Sequence, residues 1–163
     1  MRSTRNWLAA VVITAVAWSA RPAAIERTRL PLFPLTAGDG SVVTTDRIVR
    51  PGRWLIIYVQ PDCRRCETLL RQVVKEQHPL VPARLVVVVG AAGADLVREA
   101  AAAFPDLAES AWFADPSGAA VVPMQVGSAP VVFGLDGGMI EWSLTGVLAG
   151  SPELTYVLAS WIR

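Results

Sequence analysis

The chain has 163 residues, 53% of them hydrophobic and 18% charged, with a formal net charge of +1. That length suits one domain with a real hydrophobic core and falls short of two. The near-neutral balance, without a basic run, excludes a nucleic-acid binder of the usual electrostatic kind, and no internal repeat divides the chain.

In chain order, Arg2 and Arg5 precede an uncharged apolar run from Trp7 to Ala20, after which SARPAAIERTR turns polar. About 14 apolar residues as a helix span roughly 21 Å, against roughly 30 Å for a bilayer core. The length predicts a signal-peptide segment, with Ala17 and Ser19 as the small residues before a cleavage point. An uncleaved anchor stays open as the alternative, and Arg21, Arg27 and Arg29 beyond the run blunt the positive-inside bias. No cysteine follows the run closely, so a lipoprotein anchor is not expected. Residues 1–20 are read as signal peptide or membrane anchor, 21–30 as a linker, and 31–163 as a folded domain outside the cytoplasm.

LPLFPLTAGDGSVVTTDRIVRPGR reads as short extended pieces with turns at Gly38-Asp39-Gly40 and Pro51-Gly52. WLIIYVQ (54–60) is a continuous apolar run of strand length, as expected of a central strand buried on both faces. Pro61-Asp62 breaks it, and from Cys63 the spacing of Leu69, Leu70, Val73 and Val74 predicts a helix that stops at His78-Pro79. ARLVVVVG (83–90) is a second buried strand, ADLVREAAAAF (94–104) a helix ended by Pro105, and SAWFADPSG (110–118) a short strand and turn. AAVVPMQV (119–126) predicts a helical turn or two. A hairpin follows, with strands Val131–Leu135 and Met139–Leu144 around Asp136-Gly137-Gly138. SPELTYVLASWIR closes the chain as an amphipathic helix with a Ser cap and Pro at its first position. The order β-α-β-α, insertion, β-β-α predicts an α/β fold, a mixed sheet with helices on both faces. Trp54, Trp112, Trp142 and Trp161 are expected in its core, and Met124 in packing.

The only cysteines are Cys63 and Cys66, two residues apart at a strand-to-helix junction. A structural bridge, a metal pair and a redox pair compete. A bridge closing so short a loop gains little stability and ties no distant elements together. A structural zinc site needs four ligands. The one histidine, His78, lies about 18 Å away at the far end of the predicted helix. No metal is therefore expected, and the redox reading is favoured. At a helix N-terminus the first thiol faces unpaired N–H groups and the positive end of the dipole, which favour its thiolate. Cys63 is the expected nucleophile and Cys66 the shielded resolving thiol. Arg64 and Arg65 add positive charge beside the thiolate and push the couple toward the oxidising end, while Asp62 opposes them.

With these residues in view, the region from about 30 to 163 resembles the thioredoxin superfamily, and within it the exported TlpA-like thiol-disulfide oxidoreductases. The matching pieces are FPLTAGDGSVV, RPGRWLIIYVQPDCRRC, FADPSG and VGSAPVVFGLDGGMIEWSLTGV. The Pro-X-Cys-X-X-Cys loop is similar also to accessory proteins of methylamine dehydrogenase maturation. The resemblance implies a thioredoxin-like three-layer sandwich and exchange of the Cys63–Cys66 disulfide with thiol- or disulfide-bearing client proteins. It also implies a membrane-bound redox partner, no cofactor, and membrane contact only through residues 1–20 if these are retained. It further implies a cis peptide before Pro130, with Ala129 and Pro130 packed against the disulfide and receiving substrate backbone. A non-catalytic assembly factor or metallochaperone on the same fold is the alternative. Three departures stand out. Asp62 replaces the Trp usual before the first cysteine, and Ile57 replaces a buried acid that assists the resolving thiol. Gln60 replaces the Thr that a peroxiredoxin needs.

Overall fold

The two continuous apolar runs form the middle of a sheet. The computed structural model describes residues 27–77, 82–146 and 151–161. The elements are β1 (Thr28–Arg29), β2 (Pro34–Ala37), β3 (Val42–Thr44), α1 (Thr45–Ile48), β4 (Arg53–Val59) and α2 (Arg64–Gln77), then β5 (Leu85–Gly90), α3 (Ala94–Ala102) and β6 (Ala111–Asp115). The chain ends with β7 (Val131–Asp136), β8 (Met139–Thr145) and α4 (Pro152–Trp161). The strands make one sheet in the order β1-β8-β7-β4-β5-β6-β2-β3. β4, β5 and β6 run parallel, as their intervening helices require, and every other neighbouring pair is antiparallel.

Alternation along β4 and β5 divides the core in two. Leu55, Ile57, Val59, Leu85, Val87 and Val89 face one side, where they meet Leu69, Leu70 and Val73 of α2, Val97 of α3, and Leu154 and Leu158 of α4. Trp54, Ile56, Tyr58, Val86 and Val88 face the other, with Ile48 of α1 and with Ala120 and Met124 of the 116–130 crossover. Helices therefore flank both faces unequally. The three longer ones share one layer, and the four-residue α1 with the crossover makes the other. Trp54 is fully buried and Trp112 nearly so, whereas Trp142 and Trp161 are half-buried and meet edge to face at 5.5 Å. Trp142 lies across Gly134, where any Cβ would overlap the indole ring. The expected cap of α4 is present: Leu154 N–H donates to Ser151 Oγ at 3.2 Å.

Several boundaries differ from expectation for local reasons. Residues 82–84 form a 3-10 turn before β5, and the Arg50 guanidinium donates to the Ala83 carbonyl there. The third helix ends at Ala102, and a 3-10 turn at Pro105–Leu107 follows. The 119–126 segment contains one helical turn, with Met124 N–H donating to the Ala120 carbonyl at 3.0 Å, and no longer helix. Thr28 and Arg29, within the segment read as a linker, pair with Ile140 and Met139 at the sheet edge. The apolar run of residues 7–20 and the His78-Pro79 stop lie outside the described residues. Among the described residues no helix is long and apolar enough to cross a membrane.

Candidate active site

The chain turns from β4 into α2 through Gln60–Cys63. Asp62 sits there with φ 55°, in the left-handed region that Asp enters more readily than most residues. Cys63 occupies the N-cap of α2. The backbone N–H of Cys66, the third helical residue, donates to Cys63 Sγ at 3.2 Å. The Cys63 carbonyl accepts the Glu67 N–H at 3.1 Å. The two sulfurs are bonded in a disulfide, with Cα atoms 5.2 Å apart. Cys63 remains half-buried at the surface, while Cys66 is only 3% exposed and belongs to the core.

The β7–β4 pairing brings a second segment to the same place. β7 runs antiparallel to β4 with Val131 opposite Tyr58, so its beginning lies beside the end of β4. The peptide bond before it, Ala129–Pro130, is cis. Pro130 is buried and its carbonyl accepts the Gly146 N–H at 3.3 Å, while Ala129 packs against the core cluster that also meets Cys63. The β4–β7 register thus places Ala129 and Pro130 at the same end of the sheet as the loop that carries Cys63, from a segment more than sixty residues away.

Arg64 and Arg65 are exposed and make no ion pair among the described residues. Asp62 is exposed as well. Ile57, at the position where the resemblance expects an acid, is fully buried. Glu67 is held by Arg71, whose Nε and Nη2 donate at 3.0 and 2.8 Å. Among the described residues no group of three or more His, Cys, Asp and Glu side chains is placed to hold a metal ion.

Two features were not visible in the sequence. Asp115, at the end of β6, is wholly buried and accepts three hydrogen bonds: from the N–H groups of Ala119 (2.7 Å) and Ala120 (3.1 Å) and from the Tyr58 hydroxyl (3.2 Å). It anchors the start of the crossover that ends in Pro130. Burial, reinforced by the Asp115 charge, raises the Tyr58 hydroxyl pKa above the ordinary tyrosine value. The only sequence signals were a polar tip in an apolar strand and an acid before Pro116. The second feature is an open cleft of about 600 Å³ between α2 and α3, walled on one side by Asp62, Cys63 and Arg64.

No protein-family model matches the chain, and no curated protein matches it. Solved structures do. A thioredoxin-like protein from Porphyromonas gingivalis shares 20% identity at a TM-score of 0.63, over 82% of this chain and 91% of that one. A secreted disulfide oxidoreductase of Mycobacterium tuberculosis, homologous to E. coli DsbE, shares 16% at 0.59, over 78% and 95%. A peroxiredoxin-like protein from Aquifex aeolicus shares 16% at 0.61, over 83% and 86%. The fold is thioredoxin-like, a mixed sheet flanked by helices. It carries a disulfide-bonded Cys-X-X-Cys at the N-terminus of its first long helix.

Proposed function

We propose that the chain is an extracytoplasmic thiol-disulfide oxidoreductase that exchanges its Cys63–Cys66 disulfide with client proteins. The observation that carries this is the asymmetry of the pair: Sγ of Cys63 is reachable and receives a helix N-terminal N–H, whereas Cys66 is buried behind it. A client thiolate attacks Cys63 Sγ, forming a mixed disulfide as the Cys63–Cys66 bond breaks and Cys66 leaves as a thiolate that takes up a proton. A second client thiol attacks the client sulfur of that mixed disulfide and releases the Cys63 thiolate. Two electrons pass from client dithiol to protein, and the same steps run in reverse from the reduced protein. The N–H of Cys66 stabilises the Cys63 thiolate in either direction. Ala129 and the cis Pro130, at the start of β7 beside the end of β4, are assigned to receive client backbone. A membrane-bound redox partner resets the pair.

Gln60 in place of the peroxidatic Thr argues against peroxide reduction. Ile57 favours a second reading, an assembly factor that holds a client without turnover, because a buried apolar side chain stands where the resemblance places the acid that assists the resolving thiol. Catalysed reduction of an insulin-type disulfide, abolished by Cys63→Ser, supports the oxidoreductase; stoichiometric capture without turnover supports the holder.

A further inference from the structure

We infer that the cleft between α2 and α3 is a client subsite that takes one large apolar side chain next to the client's reacting cysteine. The inference rests on the oxidoreductase reading above. The cleft lies beside the reacting sulfur but away from the cis-proline loop. Ala129 and Pro130 lead into β7, on one side of β4, whereas the cleft floor includes Val89 of β5 and Trp112 of β6, on the other. A client chain bonded to Cys63 Sγ extends in two directions from its cysteine. If one passes the cis-proline loop, the other passes over the cleft. Successive Cα atoms are about 3.8 Å apart, so a residue one or two positions from the cysteine reaches it.

Its chemistry selects an apolar occupant. Leu70, Val89, Phe104 and Trp112 form the floor, and Leu96 on α3 stands 44% exposed at the rim, between the exposed polar Asp95 and Arg98. Two of the charged side chains that line the cleft are committed to each other. Arg71 pairs with Glu67, and its guanidinium lies 5.3 Å from the centre of the Phe104 ring. That pair contributes no net charge; the exposed Asp62, Arg64 and Glu99 also line the cleft, so its edge is charged while the floor that meets an inserted side chain is apolar. Because Cys63 itself is part of the wall, the occupant is present when the mixed disulfide forms. That makes it the client rather than a distant ligand.

The test uses the oxidised full chain and reduced peptides Gly-Gly-Cys-Leu-Gly, Gly-Leu-Cys-Gly-Gly and Gly-Gly-Cys-Gly-Gly in excess, with loss of the protein disulfide followed by quenched mass spectrometry. Two peptide thiols become one peptide disulfide for each protein disulfide reduced. One leucine peptide should react faster than the glycine peptide by about five- to tenfold, the factor that partial burial of a leucine side chain supplies. In Leu96→Ser, which removes the apolar rim, and in Ala103→Trp, which fills the exposed end of the cleft, that preference should fall to within about twofold while the glycine peptide keeps its rate. Equal rates for all three peptides overturn the inference, as does a leucine preference that survives both variants. Equal slowing of the glycine peptide, or self-association lost on Leu96→Ser, likewise overturns it. The oxidoreductase reading stands through those results; it falls only if the glycine peptide fails to reduce the parent protein at all.

Discussion

Cys63 caps the helix that holds its own partner: the Cys66 N–H donates to Cys63 Sγ at 3.2 Å, in the position where Ser, Thr or Asp ordinarily caps a helix. A sulfur so placed gains more from the bond as a thiolate than as a thiol, which ties the local helix geometry to the redox poise of the pair.

Arg64 and Arg65, both exposed, follow Cys63 directly, and the proposed role for them is to stabilise its thiolate from solvent. Replacing them with Gly and Pro keeps the first turn of α2 intact, because Pro is tolerated there. The potential of the pair against glutathione should become more negative by about 20–40 mV. Both side chains are exposed, so the shift should shrink in about 1 M salt. An unchanged potential at low salt would show that the arginines serve solubility or docking instead.

Much of this arrangement was legible beforehand, and the reasons are physical. β4 and β5 are buried on both faces and so read as unbroken apolar runs. The hairpin declared itself through Gly137-Gly138, and the Ser151 cap through its place before Pro152. The cis peptide before Pro130 came from the family resemblance, not from local pattern. What stayed hidden depends on distant segments meeting. The cleft exists because the crossovers bring Phe104 and Trp112 up to Leu70, and Asp115 is anchored by Tyr58, fifty-seven positions away. α1 is only four residues long and has no side-chain cap, so no periodicity announced it.

The Tyr58–Asp115 pair should appear in alkaline stability. The folded-state pKa of Tyr58 is raised above 10.0, so the unfolded chain releases this proton first. Stability present below pH 10 is then lost as pH rises, by at most about 1.4 kcal/mol per pH unit for one proton. Urea melts from pH 8 to 11 should show this decline in the parent protein. Tyr58→Phe should cost about 1 kcal/mol at neutral pH and lack that component of the decline. Parallel curves for the two proteins would remove Tyr58 from the account.

The short apolar run of residues 1–20 is the basis on which export is proposed. A reporter active only in the cytoplasm, fused after Arg163, should stay silent in cells, while one active only outside should report. Strong cytoplasmic signal would overturn the location and the oxidising context assumed for the clients.

The division of labour between the two sulfurs is tested most directly by covalent trapping. With Cys66 replaced by serine, the mixed disulfide at Cys63 has no internal thiol to resolve it. Cys66→Ser should therefore accumulate client conjugates that disappear under reductant on denaturing gels. Cys63→Ser leaves only a thiol that is 3% exposed and should trap almost none. Equal trapping by the two variants, or trapping by Cys63→Ser alone, would contradict the assignment of Cys63 as the attacking sulfur.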